Sequence, residues 1–285
     1  MIDPFKSFRQ GRGYTLVELM VGLFLSVFIV MMTVAYLVTS AKTFSVQTNE
    51  ALIQENARFA LDKISRIIRE AGSDPSNSML RELPPVFAQS HCSDNANRSN
   101  VATDLNDCTL DELSIGSDRL GIAKVIREGT KACDGSDILV ATGQTVRVAT
   151  VLWAADLDLD GIHSLYCQSY DIDAGIFVGR ASPLVEGVDL IQFQFGVDLD
   201  IDGAIDQYQN QSLRKTQTSS AEQKPRLKAI RFAMLINPGS GIRRDQVVED
   251  LSARTYQLLD GNAVTFNDEL PRSVYSSTVM LPSVN

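Results

Sequence analysis

The sequence Gly13-Tyr14-Thr15-Leu16-Val17-Glu18 joins a short basic leader to a long apolar run. The leader holds three basic residues among its first twelve, and Glu18 is the last charged residue before the run. The 23 residues from Leu19 to Ala41 carry no charge. A helix that spans a bilayer needs about 20 residues. The sequence therefore predicts a membrane-spanning helix near the N-terminus.

The order of these features differs from that of an ordinary secretory signal, in which the cleavage site follows the apolar region. Here the small residue Gly13 precedes the apolar region. A cut after Gly13 therefore leaves the apolar helix on a mature chain that begins at Tyr14. Glu18 is the second unusual feature, because a carboxylate at the centre of a membrane helix costs roughly 2.5–3.5 kcal/mol on insertion scales. A lone carboxylate at this place is a candidate for function.

The segment from Gly13 to Leu19 resembles the class III leader junction of type IV pilins and type II secretion pseudopilins. The resemblance implies that prepilin peptidase cuts after Gly13 and methylates Tyr14, where the family usually has phenylalanine. It also implies that Glu18 pairs with the N-terminal amine of a neighbouring subunit. The alternative is an uncleaved signal anchor in which Glu18 is accidental.

Length and composition indicate a globular protein outside the anchor. The chain has 285 residues, of which 44% are hydrophobic and 21% charged, so there is room for one large or two small domains. The net charge of −9 argues against a nucleic-acid partner. The basic leader favours a cytoplasmic N-terminus. The chain from Lys42 onward is then expected outside the inner membrane, in the periplasm.

The four cysteines are Cys92, Cys108, Cys133 and Cys167. An even number in an oxidising compartment predicts disulfides, and three connectivities are open. Short loops favour the pairs Cys92–Cys108 and Cys133–Cys167. A zinc site is disfavoured because no two cysteines have a C-x-x-C spacing and the chain has two histidines.

The apolar helix is predicted to continue beyond the membrane, to about Ala71. Apolar residues recur at helical spacing from Ile53 onward, and Gly72 followed by Pro75 is a typical helix end. The predicted organisation is a leader (1–13), a transmembrane or filament-core helix (14–41), an amphipathic helix (42–72) and a periplasmic globular domain (73–285).

The globular domain is predicted to be irregular and tied by disulfides over 73–135, apart from a short helix at about Leu120–Arg127. Residues 136–285 are predicted to be rich in β-strands. The predicted strands are Ile138–Ala141 and Val146–Leu152 as a hairpin, Ile191–Phe195, Ile230–Ile236, the hairpin Tyr256–Leu259 with Ala263–Phe266, and Val274–Leu281. The fold class is therefore α+β, with one long helix packed on an antiparallel sheet of about four to seven strands.

Three later segments resemble the PilW type of minor pilin. They are Pro183–Val188 followed by Ile191–Asp198, the single residue Arg254, and Pro271–Val279. The resemblance implies a structural protein of the type IV pilus, which primes assembly and sits at or near the pilus tip. Its implied partners are other minor pilins, the major pilin, a tip adhesin and prepilin peptidase.

An acidic repeat is the one feature that suggests a ligand. Asp156-Leu157-Asp158-Leu159-Asp160-Gly161 recurs 42 residues later as Asp198-Leu199-Asp200-Ile201-Asp202-Gly203, and Asp206 follows at the ninth position. Carboxylates at positions 1, 3 and 5 with glycine at 6 match the first half of a calcium loop of the EF-hand type. Neither copy has the glutamate at position 12. The second copy is the stronger calcium candidate, and acidic turns between strands without metal are the alternative.

No catalytic motif is recognisable, so the chain is predicted not to be an enzyme. Two other functions remain open. One is a minor pseudopilin of type II secretion. The other is a signal-anchored periplasmic protein that binds calcium or performs hydrolysis without forming a filament.

Overall fold

A computed structural model describes residues 13–74, 86, 109, 117–157, 159, 161–210, 226–241, 253–268 and 270–282. One helix, α1, runs from Leu16 to Arg69. The strands are β1 (Arg119–Arg127), β2 (Thr145–Ala155), β3 (Ser164–Asp171), β4 (Ile176–Glu186), β5 (Val188–Asp198), β6 (Gln207–Gln209), β7 (Arg226–Ile236), β8 (Arg254–Tyr256), β9 (Val264–Phe266) and β10 (Ser273–Met280). The chain divides into two compact units, Met1–Gln47 and Thr48–Asn285.

The part of α1 within the second unit forms one wall of the main core. Its apolar side chains recur at intervals of three and four residues, which places them on one face. Ile53, Ala57, Ala60, Ile64 and Ile68 are all at most 1% exposed. The helix ends as predicted near Gly72, whose φ of 64° suits glycine and whose N–H donates to the Ala123 carbonyl.

The described strands form two four-stranded antiparallel sheets and a separate two-stranded hairpin. The first sheet has the order β1-β2-β3-β4, the second β10-β7-β5-β6, and β8 pairs with β9. Side chains from α1 and from both sheets share one core. Phe193 and Phe232 lie at its centre with ring centroids 6.3 Å apart. The prediction of an α+β fold with a long N-terminal helix and antiparallel strands is confirmed.

The two sheets are joined where the chain enters β1. The Asp118 N–H donates to the Ile191 carbonyl, and its carboxylate accepts the Phe193 N–H at 2.7 Å. Ser117 Oγ accepts the Ile191 N–H at 3.1 Å. Because Ser117 and Asp118 are buried, these bonds satisfy backbone groups of β5 that would otherwise be unpaired in the core.

The hairpin β8–β9 covers the second face of the second sheet. Leu258 packs there against Leu190, Ala233 and Leu235, so β5 and β7 are buried on both faces. The alternation of apolar residues with Gln192 and Gln194 in Ile191–Phe195 is typical of a half-buried strand. Gln192 is instead 1% exposed, because the hairpin lies against it at Gly261, where a Cβ would come within 2.6 Å of the Gln192 side chain.

Three details of the predicted fold are wrong. Leu120–Arg127 is part of β1 and not a helix, because it pairs with β2 over its whole length. Ile138–Ala141 is not a strand, because β2 already has β1 and β3 as partners. The strands also form two sheets where one was expected. The hairpin at Asp260-Gly261 and the last strand are confirmed, with slightly different bounds.

Candidate functional sites

The N-terminal end of α1 is closed by Thr15 and Glu18. The Glu18 carboxylate accepts the Thr15 N–H at 3.0 Å and its hydroxyl at 3.1 Å, while the Thr15 hydroxyl accepts the Glu18 N–H at 3.3 Å. This reciprocal arrangement is a capping box. The Thr-x-x-Glu pattern of Thr15 and Glu18 is visible in the sequence, and the capping box could have been predicted from it. Glu18 therefore has a local structural role, beside any role in assembly. Tyr14, two residues before α1, is 87% exposed.

The first part of α1 presents apolar side chains all round. The large apolar residues from Leu16 to Val38 are 49–76% exposed, and this is the segment long and apolar enough to cross a membrane. Its serine and threonine hydroxyls are bonded within the helix. Ser26 donates to the Leu23 carbonyl and Thr33 to the Ile29 carbonyl, both at 2.8 Å. A helix whose polar groups are bonded internally is suited to lipid or to an apolar protein interior.

The second acidic loop joins β5 to β6 and brings three carboxylates together. Oxygen atoms of Asp198, Asp200 and Asp206 lie within 4.8 Å of one another. Asp198 is fully buried at the end of β5, and the other two are exposed. The predicted fourth ligand, Asp202, is not in this group; its carboxylate accepts the Ala204 N–H at 2.7 Å. Hard oxygen donors at this spacing suit calcium.

The same carboxylates also organise the loop. Asp198 accepts the N–H groups of Ile201 and Gly203 at 2.7 and 3.0 Å. The ammonium of Lys228 lies 3.5 Å from Asp198 Oδ2 and supplies a positive charge. A calcium ion at this site would share Asp198 with Lys228. The donor set fits a cation, and the lysine provides an alternative partner for the one buried carboxylate.

The first acidic loop, between β2 and β3, repeats this backbone conformation. Leu159 and Ile201, each at position 4, have φ values of 58° and 68°. The N–H of Gly161 donates to Asp156 Oδ2 at 3.0 Å, as Gly203 does to Asp198. Asp156 Oδ1 is buried without a hydrogen-bond partner in the described structure. An orphaned carboxylate oxygen is consistent with a cation ligand. The predicted ligands Asp158 and Asp160 lie outside the described residues.

A disulfide joins Cys133 to Cys167, one of the pairs favoured by short loops, with the Cα atoms 5.9 Å apart. Cys92 and Cys108 lie outside the described residues. Beside the disulfide, Asp134 accepts the Ser136 hydroxyl at 2.6 Å and the Arg180 N–H of β4 at 2.8 Å. These bonds, that from Ser136 most of all, lower the pKa of Asp134 to about 2. The loop between β1 and β2 is thereby fixed to β3 and β4.

A buried ion-pair network was not predicted from the sequence. Arg272, 3% exposed in its side chain, donates to Asp189 at 2.6 Å and to Asp268 at 2.7 Å. Burial lowers the pKa of Arg272, but the two carboxylates raise it and prevail. An aspartate between Val188 and Leu190 in an apolar strand was the available signal. The network attaches the segment before β10 to β5.

Comparison with protein-family models gives one match, to the family described as Type IV Pilus-assembly protein W, over residues 154–283. The match supports a PilW-type family for this chain. It begins near the end of β2 and covers β3 to β10, which is less than half of the 285 residues. It includes the second acidic loop and the Arg272 network. Neither the curated proteins nor the solved structures give a match.

The PilW-type match suggests a role in type IV pilus assembly. It fits the apolar N-terminal helix, which suggests a membrane anchor. Such a role is structural, and the absence of catalysis in this chain stays a prediction. Processing at Gly13, pairing of Glu18 and calcium binding also remain predictions.

Proposed function

We propose that this chain is a minor pilin that primes type IV pilus assembly and lies at or near the pilus tip. Prepilin peptidase cuts it after Gly13, and the new N-terminus at Tyr14 is methylated. It is held in the inner membrane by α1, with its β-domain in the periplasm, until it enters the filament. The observation that carries this proposal is a PilW-type β-domain on the same chain as a helix segment, Leu16–Val38, whose apolar side chains are exposed.

The proposed partners are other minor pilins, the major pilin and a tip adhesin. An apolar helix surface that is exposed along the whole of Leu16–Val38 would be covered by lipid before assembly and by neighbouring helices afterwards. Glu18 would then meet the N-terminal amine of a neighbour, because a carboxylate in apolar surroundings needs a cation nearby.

The experiment is the N-terminal mass of the chain from membranes and from sheared filaments. Methylated Tyr14 as the first residue supports processing by prepilin peptidase. A chain that still begins at Met1 in cells with an active peptidase would favour the signal-anchored alternative. A processed chain that enters a secretion pseudopilus and not the pilus would favour the pseudopilin alternative.

Two substitutions at Glu18 separate capping from assembly. Glu18→Gln preserves the capping box, since glutamine can accept the same bonds, but it removes the charge. Glu18→Ala removes both. We expect both variants to be lost from filaments. Normal incorporation of Glu18→Gln together with loss of Glu18→Ala would assign Glu18 to capping alone.

We further propose that calcium stabilises the loop from Asp198 to Asp206. The support is the close approach of three carboxylates, one of them buried. A ligand that binds only the folded state raises the melting temperature. We therefore expect calcium to raise it in the natural chain and to have no effect in Asp200→Ala/Asp206→Ala. Lys228→Met serves as a control, because it removes the competing ammonium, and it is expected to increase the calcium effect. Equal melting in calcium and in a chelator for all three proteins would refute the site.

A further inference from the structure

Among the described residues, the outer edge of β10 presents a row of backbone groups that are not bonded to another strand. Leu281 lies opposite Lys228 in the β7 register, and its N–H donates to the Lys228 carbonyl at 2.8 Å. In an antiparallel pair, residues bonded to the partner alternate with residues whose N–H and C=O point away from it. The odd-numbered residues of β10 therefore bond to β7, and the even-numbered ones face the edge.

Four residues present these edge groups: Val274, Ser276, Thr278 and Met280. All four are exposed. Within the described part of the chain, none of them takes part in a further hydrogen bond. Their side chains lie on the same face of the sheet, where Val274 is 50% and Met280 58% exposed. The edge therefore combines unpaired backbone groups with two exposed apolar side chains.

The first sheet has two edge strands, β1 and β4, and both are protected by contrast. On β1, the Val125 N–H donates to the Ser73 carbonyl and the Ala123 carbonyl accepts the Gly72 N–H. The edge of β4 is protected by its own sequence and shape. It contains Pro183, which has no N–H to donate. Its register with β3 is interrupted, Gly179 has a φ of 70°, and Asp134 caps the Arg180 N–H. These are the devices by which proteins prevent strand addition. β10 has an unbroken register over eight pairs and neither proline nor charge in Ser273–Met280.

We propose that β10 is a docking edge to which a partner polypeptide adds an extended strand. Backbone groups at the edge select an extended segment, and Val274 and Met280 favour apolar residues at alternate positions of that segment. On the opposite face, Tyr275 lies near Glu50 of α1, which is exposed. A lysine or arginine of the added strand beside Tyr275 would complement this charge.

The occupant is a different polypeptide and not a second copy of this chain. Two copies that join β10 to β10 in antiparallel fashion are related by a two-fold axis across the sheet. Such pairing would set β10 against a strand that has no lysine or arginine, because Ser273–Met280 carries no charge. The carboxylate of Glu50 would then have no cation opposite it.

The test is amide hydrogen exchange of the full chain, because backbone pairing protects the amides that it uses. The full chain in detergent is compared with the full chain in native membranes of the cells that produce it. We expect the amides of Ser276 and Thr278 to exchange at least about tenfold more slowly in membranes than in detergent. Equal exchange in both samples would overturn the proposal. Slow exchange in detergent that depends on protein concentration would mean that the occupant is a second copy, and would overturn it too.

Variants at the edge distinguish strand addition from other protection. Ser276→Pro removes an N–H that does not bond to β7, so the sheet is retained while the edge is blocked. Ser276→Ala keeps the N–H and is the matched control. We expect the proline variant to lose the protection of Thr278 and the alanine variant to keep it. Thr278→Lys, which places a charge on the exposed face, gives a second blocked edge if the proline variant does not fold. Protection of the remaining edge amides that survives in a folded blocked variant would contradict strand addition.

This inference rests on the proposed function for the source of the partner, but the two can fail separately. A chain that begins at Met1 and still shows the protected edge would refute the processing and leave the docking edge in place. A processed chain in filaments whose β10 edge amides exchange freely would refute the docking edge and leave the processing in place.

Discussion

The two ends of α1 share one backbone conformation and differ in what surrounds them. From Leu16 to Val38 the large apolar side chains are about half to three-quarters exposed. From Ile53 to Ile68 the apolar face is at most 1% exposed, and charged residues occupy the other side. An apolar face that is covered by its own chain contributes to the stability of the fold. An apolar surface that remains exposed is typical of a site that contacts a membrane or another protein.

The comparison also separates two kinds of helix end. At the N-terminal end, backbone groups are satisfied by the side chains of Thr15 and Glu18, which are adjacent in sequence. At the C-terminal end, Gly72 bonds to Ala123, and Glu70 accepts the Lys124 ammonium at 2.6 Å. The first end is closed locally and the second depends on the sheet. Substitutions at the N-terminal end should therefore affect the first turn of α1, and substitutions at the C-terminal end should affect the stability of the β-domain.

The largest expected effect is in the covered part of the helix. Ile64→Ala removes a fully buried side chain from the shared core. It should lower the free energy of unfolding of the β-domain by about 2–5 kcal/mol. Chemical denaturation of the full chain in detergent measures this. Ile29→Ala, at a site that is 62% exposed, is the matched control and should leave that free energy unchanged. An equal loss in both variants would show that the exposed part also stabilises the fold.

The next effect concerns the sheet on which the covered part packs. Cys167 belongs to the same core as Ile64, and its disulfide to Cys133 spans 34 residues of sequence. Replacement of both cysteines by alanine should lower the free energy of unfolding by about 2–4 kcal/mol. Thermal unfolding of the double variant measures the loss. Cys133→Ala alone removes the bond but keeps the buried sulfur of Cys167, so any difference between the two variants reports packing alone. Unchanged stability in the double variant would contradict a structural disulfide.

A smaller effect is expected at the exposed end. Thr15→Ala removes the hydroxyl that caps the first turn of α1 and should cost the helix about 0.5–2 kcal/mol. Faster amide exchange in that turn, with unchanged denaturation of the β-domain, is the expected result. Thr15→Ser keeps a hydroxyl at the cap and should exchange as the natural chain does. If Thr15→Ala also destabilised the β-domain, the N-terminal cap of α1 would contribute to the stability of the whole fold and not of the first turn alone.

The sequence predicts local features of the structure, and it does not predict the contacts between residues that are distant in sequence. The helix, its end near Gly72 and the hairpin at Asp260-Gly261 follow from short-range patterns, and the structure has them. The sequence did not reveal that Asp189 pairs with Arg272, because that contact joins residues 83 positions apart. It predicted one sheet because strand order depends on distant pairs such as β10 with β7. The acidic repeat predicted which loop gathers carboxylates, but not that Lys228 lies beside Asp198.

The smallest effect is a dependence on pH that belongs to the β-domain. The pKa of Asp134 is lowered to about 2 in the folded chain, chiefly by the Ser136 hydroxyl, and it is near 3.8 in the absence of these bonds. The ionised carboxylate is thus favoured by folding. Its contribution is complete above about pH 4 and is lost as the pH falls through about 2. We expect Asp134→Asn to flatten this part of the stability curve in acid-titration melting experiments.

Ser136→Ala is the matched variant for the same group, since it removes the largest cause of the shift and leaves the carboxylate in place. It should raise the pKa of Asp134 and move the loss of stability toward pH 4. A β-domain whose acid profile is the same in the natural chain and in both variants would show that Asp134 does not hold the β1–β2 loop to β4. Protection of the β4 edge would then depend on Pro183, on Gly179 and on the interrupted register. Such a result would make the β4 edge less different from the β10 edge. It would not change the difference between the two ends of α1. The segment from Leu16 to Val38 contains one ionisable carboxylate, Glu18, and that group is bonded to Thr15.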